Sequence, residues 1–160
     1  MSGLRRFGAS VVLTGLLSVS GTMTAQQNGG CTLEKQVYTC DWQAFVHQLD
    51  KAKSISIETQ SMDRFTRRQL RELAGQLGKS VTPDEQQGDL TFLVIPLPST
   101  GVHIGPAGEA LATLRIYAPE PGNARGNLLW AEVYSGDPDR PWPAIVHALI
   151  QQFHDRIQKH

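Results

Sequence analysis

The most constraining feature of this chain is the run Leu90-Thr91-Phe92-Leu93-Val94-Ile95, which is apolar at five of six positions. A run that short and that apolar suits a central sheet strand covered on both faces. The surrounding sequence has to supply neighbouring strands and something to cover them. Ser54-Ile55-Ser56-Ile57-Glu58-Thr59 alternates polar and apolar, which predicts a strand with Ile55 and Ile57 inward. Between these two strands, Phe65, Leu70, Leu73, Ala74 and Leu77 make the buried stripe of a helix over about 63–77, which Gly78 ends. Strand, helix and strand over this length predict a βαβ unit. Residues 79–89 read as a polar connection.

Helices are expected on either side of that unit. Asp41 is a good N-cap, and Trp42, Phe45, Val46 and Leu49 then recur at i, i+3, i+4 and i+7. Near the other end, Pro141 and Pro143 suit a first helical turn, where a missing N–H costs nothing. Trp142, Ile145, Val146, Leu149, Ile150, Phe153 and Ile157 form the inner face of that helix, with Asp137 or Asp139 as its expected cap. Two further strands, Leu111 to Tyr117 and Leu128 to Tyr134, flank the turn-rich stretch Glu120 to Gly126 and predict a β-hairpin. The expected fold is α+β, in the order α-β-α-β-β-β-α. A small mixed four-stranded sheet, made of the βαβ unit plus the hairpin, has helices packed against it.

The N-terminus has a different character. Arg5 and Arg6 precede the short apolar stretch carrying Val11, Val12, Leu13, Leu16, Leu17 and Val19, followed by small and polar residues to Ala25. That is the pattern of a secretion signal, and the stretch falls short of the roughly 20 apolar residues that span a bilayer. The expected organisation is a signal over 1–25, a flexible leader and disulfide-closed turn over 26–40, and a single α/β domain over 41–160. Without Arg5 and Arg6, 13 of the 15 basic residues remain against 15 acidic ones, a net charge of −2. So balanced a domain has no overall electrostatic reason to bind nucleic acid or an anionic membrane. The chain has two cysteines, Cys31 and Cys40, both beyond Ala25. An even count, close together in an exported chain, predicts a disulfide. Lipidation of Cys31 would call for Leu three residues earlier, where Asn28 stands. The spacing is not C-x-x-C, so a redox pair is not indicated.

Some residues resemble a family. Gly88-Asp89-Leu90-Thr91-Phe92-Leu93-Val94, then Leu111-Ala112-Thr113-Leu114-Arg115-Ile116-Tyr117, then Leu128-Leu129-Trp130-Ala131-Glu132, and a closing helix ending in Phe153 are similar to the DUF4136-type envelope proteins of bacteria. In those, a small residue and Asp precede a strand, a hairpin follows with Trp on its second strand, and an amphipathic helix ends the domain. The resemblance spans roughly residues 54–157. It implies an envelope location and this fold, with no biochemical activity attached. The cysteine pair and the N-terminal helix are departures from that pattern.

Candidate chemistry is sparse. Gly78-Lys79-Ser80 lacks the glycine that a phosphate-binding loop needs at the position of Leu73. The Gly-rich stretch around Gly101, His103, Gly105 and Gly108 is the first candidate for a binding loop, since such loops bring backbone N–H groups to a ligand and long loops are often functional. No Ser, Cys or carboxylate stands at triad spacing from His103. His147 and His154 lie about 10 Å apart along a helix, too far for one metal. Arg64, Arg67, Arg68 and Arg71 make a basic helix face, which reads as a solvated face. Asp137 and Asp139 suit turn and cap duty, and Trp130 and Trp142 suit packing. The expectation is an exported, non-catalytic binding or accessory module with no cofactor and no metal, whose partner is an envelope protein. The alternatives are a small-molecule binder or minor hydrolase centred on Gly101–Gly108, and a purely structural secreted domain.

Overall fold

The computed structural model describes residues 30–34, 37–58, 63–84, 86–97 and 109–159. The expected signal segment lies outside the described residues. In chain order the elements are β1 (Thr32–Glu34), β2 (Val37–Thr39), α1 (Trp42–Lys51), β3 (Ser54–Ile57) and α2 (Arg64–Gln76). They continue as β4 (Ser80–Val81), β5 (Leu90–Pro96), β6 (Glu109–Glu120), β7 (Asn123–Gly136) and α3 (Trp142–Gln158). The fold is α+β, as expected, but the main sheet has five strands, in the order β4-β3-β5-β6-β7. The apolar run is its central strand. β3 is parallel to both β4 and β5, and β5, β6 and β7 are antiparallel neighbours. The additional strand is β4, a two-residue edge piece inside the stretch expected to be a plain connection.

Strand register sorts the side chains onto two faces. Phe92, Ile116 and Trp130 lie in one row across β5, β6 and β7, and Val94, Leu114 and Glu132 lie in the next row of that face. Helices cover it: Phe153 of α3 meets Phe92 at 6.4 Å between ring centroids, and Phe45 of α1 stacks on Trp130 at 5.4 Å. The α2 helix packs beside α3 and over β3, burying Leu70, Leu73 and Ala74. Leu93, Arg115 and Ala131 form a row on the opposite face.

The β1–β2 hairpin reaches that opposite face. Cys31 and Cys40 are disulfide-bonded, with Cα atoms 4.1 Å apart. Tyr38 places its ring 5.2 Å from the Arg115 guanidinium, and the Cys31 amide donates to the Leu128 carbonyl at 2.7 Å. The pairing read from two cysteines therefore closes a docked hairpin.

Local chemistry explains the helix ends. The Asp41 carboxylate accepts from the Ala44 amide at 3.0 Å, and the Asp63 carboxylate accepts from the Thr66 amide at 2.9 Å. Gly78 follows α2 with φ of +68°, a conformation that suits glycine. The start of α3 differs from expectation. Its N-cap is Pro141, with no side-chain hydrogen bond. Asp137 instead accepts the Asp139 amide at 2.9 Å, so it shapes the turn before the helix. The β6–β7 hairpin is also longer than the sequence suggests, because its turn narrows to Pro121 and Gly122.

Candidate functional site

The candidate loop with Gly101, His103, Gly105 and Gly108 lies outside the described residues. Most of the other singled-out residues have structural employment. The Arg68 side chain approaches Glu72 at 3.7 Å within α2, and the Arg71 side chain approaches Asp84, in the connection after β4, at 3.8 Å, both in exposed pairs. Lys79 reaches the Asp50 carbonyl, and Ser80 donates to the Lys53 carbonyl at 3.1 Å, so Gly78-Lys79-Ser80 is a helix stop followed by an edge strand. The two α3 histidines have separate neighbours: His147 lies 3.3 Å from the Gln69 side chain, and His154 lies 3.8 Å from Asp155. Among the described residues, no three His, Cys, Asp or Glu side chains gather as a metal set. No described helix is long and apolar enough to cross a membrane.

The Gly88-Asp89 pair ties two strands together. One Asp89 carboxylate oxygen accepts from the Lys53 amide at 2.8 Å, the Ser54 amide at 2.9 Å and the Ser54 hydroxyl at 3.0 Å. These bonds, the Lys53 amide first, hold its carboxyl below the usual Asp range. A Cβ on Gly88 would stand 2.5 Å from the Ser56 backbone nitrogen, so no side chain fits there without backbone movement. The small-residue and Asp pair thus sets the mutual position of β3 and β5.

Two clusters missed by the sequence reading carry charge into the interior. The first is on the helix face. Glu132 is only 2% exposed, and it accepts from the Trp130 indole at 3.0 Å, the Gln152 amide at 2.5 Å and the Arg156 guanidinium at 3.1 Å. Arg156 also lies over the rings of Trp42 and Trp130, at 5.9 and 5.7 Å. The alternation Trp130, Glu132, Tyr134 along β7 was the available signal for this acid. Its demand for donors is met within the fold, so it reads as a lock between β7 and α3.

The second cluster is on the hairpin face. Thr113 and Arg115 are two residues apart on β6 and point to the same side of the sheet. Thr113 is 1% exposed, and among the described residues neither its hydroxyl nor the buried Arg115 Nε has a hydrogen-bond partner. Among the described residues, Arg115 makes no ion pair, and its identified contact is the Tyr38 ring. Its row neighbours, Leu93 and Ala131, offer no acceptor side chain. The neighbouring Thr113 row holds Ile95 and Val133. Here two buried polar atoms two residues apart on one strand are left without a partner among the described residues.

No protein-family model matches the chain, and no similar curated protein or solved structure was found.

Proposed function

We propose that the chain works outside the cytoplasm as a non-catalytic binding or accessory module of a bacterial cell envelope. The observation that carries this reading is the Cys31–Cys40 disulfide, which fastens a hairpin whose three-residue strands are too short to persist unaided. Structural disulfides persist in oxidising compartments and are rare where thiols are kept reduced. The Arg5 and Arg6 start with its short apolar stretch supports the same location. The interior charges are arranged for holding and binding: Glu132 is saturated by donors, and Arg115 faces no nucleophile or second acid among its row neighbours.

Location is the test. The full chain is expressed in a Gram-negative host, cells are fractionated, and free thiols are trapped with a maleimide before reduction. The expected product is shortened by about 25 residues, released with the periplasm and unreactive to maleimide. A full-length, thiol-reactive protein confined to the cytoplasm would overturn the proposal.

A further inference from the structure

We propose that Arg115 and Thr113 form an oxyanion-binding site on the hairpin face of the sheet, taking a small carboxylate or phosphate group. The inference rests on the binding part of the reading above and is independent of export. A guanidinium drawn into an apolar sheet face loses hydration, and that loss is offset when a counter-charge takes its place. Here the row neighbours are Leu93 and Ala131, and among the described residues no carboxylate is found at ion-pair distance from Arg115. The sequence between Leu97 and Glu109 contains no Asp or Glu either. Among the described residues, the fold therefore half-buries a permanent cation with no anion paired to it.

The geometry sets the class of ligand. Arginine presents N–H groups in a planar fork that matches the oxygens of a carboxylate or phosphate. Tyr38 holds that plane from one side, at 5.2 Å, which fixes its orientation and leaves its N–H edge for an acceptor. Thr113 adds a hydroxyl donor roughly 6.6 Å along the strand on the same face. Arg115 is half-buried and Thr113 is fully buried, so the anion enters at the guanidinium end and is small. The Glu132 cluster is the internal contrast: there Arg156 meets its carboxylate at 3.1 Å and has no charge left to satisfy.

The test titrates the full chain, at constant ionic strength balanced with chloride, with sodium acetate in one series and sodium phosphate in another. The readouts are the Arg115 side-chain Nε–H resonance and the melting temperature. Saturable movement of that resonance is expected with at least one probe, together with a rise in melting temperature, and the responding series identifies carboxylate or phosphate as the ligand chemistry. Arg115→Gln is expected to weaken the response at least tenfold as read by melting temperature, and Thr113→Val several-fold. Should Arg115→Gln not fold, Arg115→Lys keeps the charge but loses the fork, and a several-fold weaker affinity is expected. A response that is linear in both series, or an affinity unchanged in the folded variants, would overturn the site. A periplasmic, oxidised protein that binds neither probe would remove this site and leave the proposed location standing.

Discussion

At the scale of single residues, two acids make opposite demands. Glu132 is buried at 2% exposure beneath α3, and three donors converge on it. Removing the acid strands those donors beside an apolar core. Breaking a fully buried ion pair costs about 3–5 kcal/mol, and the 45% exposure of Arg156 lowers the expectation here to about 2–3 kcal/mol for Glu132→Ala. Glu132→Gln retains an acceptor and is expected to lose less; urea unfolding of both variants measures the difference. Asp63 sits at the surface as the cap of α2. Burial raises its pKa, but hydrogen bonds from the Thr66 amide and hydroxyl, the Trp142 indole and the Phe65 amide outweigh that and bring it to about 2. A folded pKa below the unfolded value of 3.8 means stabilisation that is complete above that value and lost as pH falls towards 2. Melting temperature should therefore drop across that window. In Asp63→Asn, which cannot titrate there, the drop should be smaller; equal drops would show that other carboxylates govern acid unfolding.

At the scale of elements, the glycines separate local propensity from packing. Gly88 lies where β5 begins against β3, and an added Cβ would stand 2.5 Å from backbone. Gly75 lies in the last turn of α2 with nothing within 4 Å of an added Cβ. Gly88→Ala is expected to destabilise by about 1–3 kcal/mol through forced backbone shifts. Gly75→Ala should stabilise by up to about 1 kcal/mol through helix propensity alone. Thermal unfolding of the pair checks both signs, and a neutral Gly88→Ala would mean that the β3–β5 junction yields easily. The same division explains what could be read beforehand. The stripe from Ile145 to Phe153 announced α3 because every member repeats one face, and each of its five buried residues was expected. Two residues cannot show periodicity, so β4 was hidden at Ser80 and Val81. The cap of α3 was misplaced because Asp137 and Asp139 have good capping chemistry, yet the helix opens at the proline pair. Glu132 and Arg115 escaped notice for a shared reason. Their meaning depends on which residues lie across the sheet, and strand register is not written in local sequence.

At the scale of the whole molecule, the sheet is covered unequally. One face carries three helices and most of the aromatic contacts. On the other face, the described hairpin is attached through Tyr38 on Arg115 and the Cys31 amide on the Leu128 carbonyl, and is closed by its own disulfide. A two-stranded hairpin of this size is at best marginal by itself, so covalent closure and docking have to act together. Loop-closure reasoning assigns a disulfide of this span about 2–3 kcal/mol. The question is which unit receives that energy. If the hairpin opens without unfolding the sheet, replacing both cysteines with serine loosens the hairpin and leaves the helix-covered layer nearly as stable as before. Native-state hydrogen exchange distinguishes the cases. The expected result is a loss of protection of about 2–3 kcal/mol at the amide of position 31, with much smaller losses at the β5 amides of Phe92 and Val94. Equal losses at both places would instead make the hairpin part of one cooperative unit with the core. In that event the Arg115 face would be sealed on the timescale of global unfolding, and a ligand there would have to enter through the exposed end of the guanidinium alone.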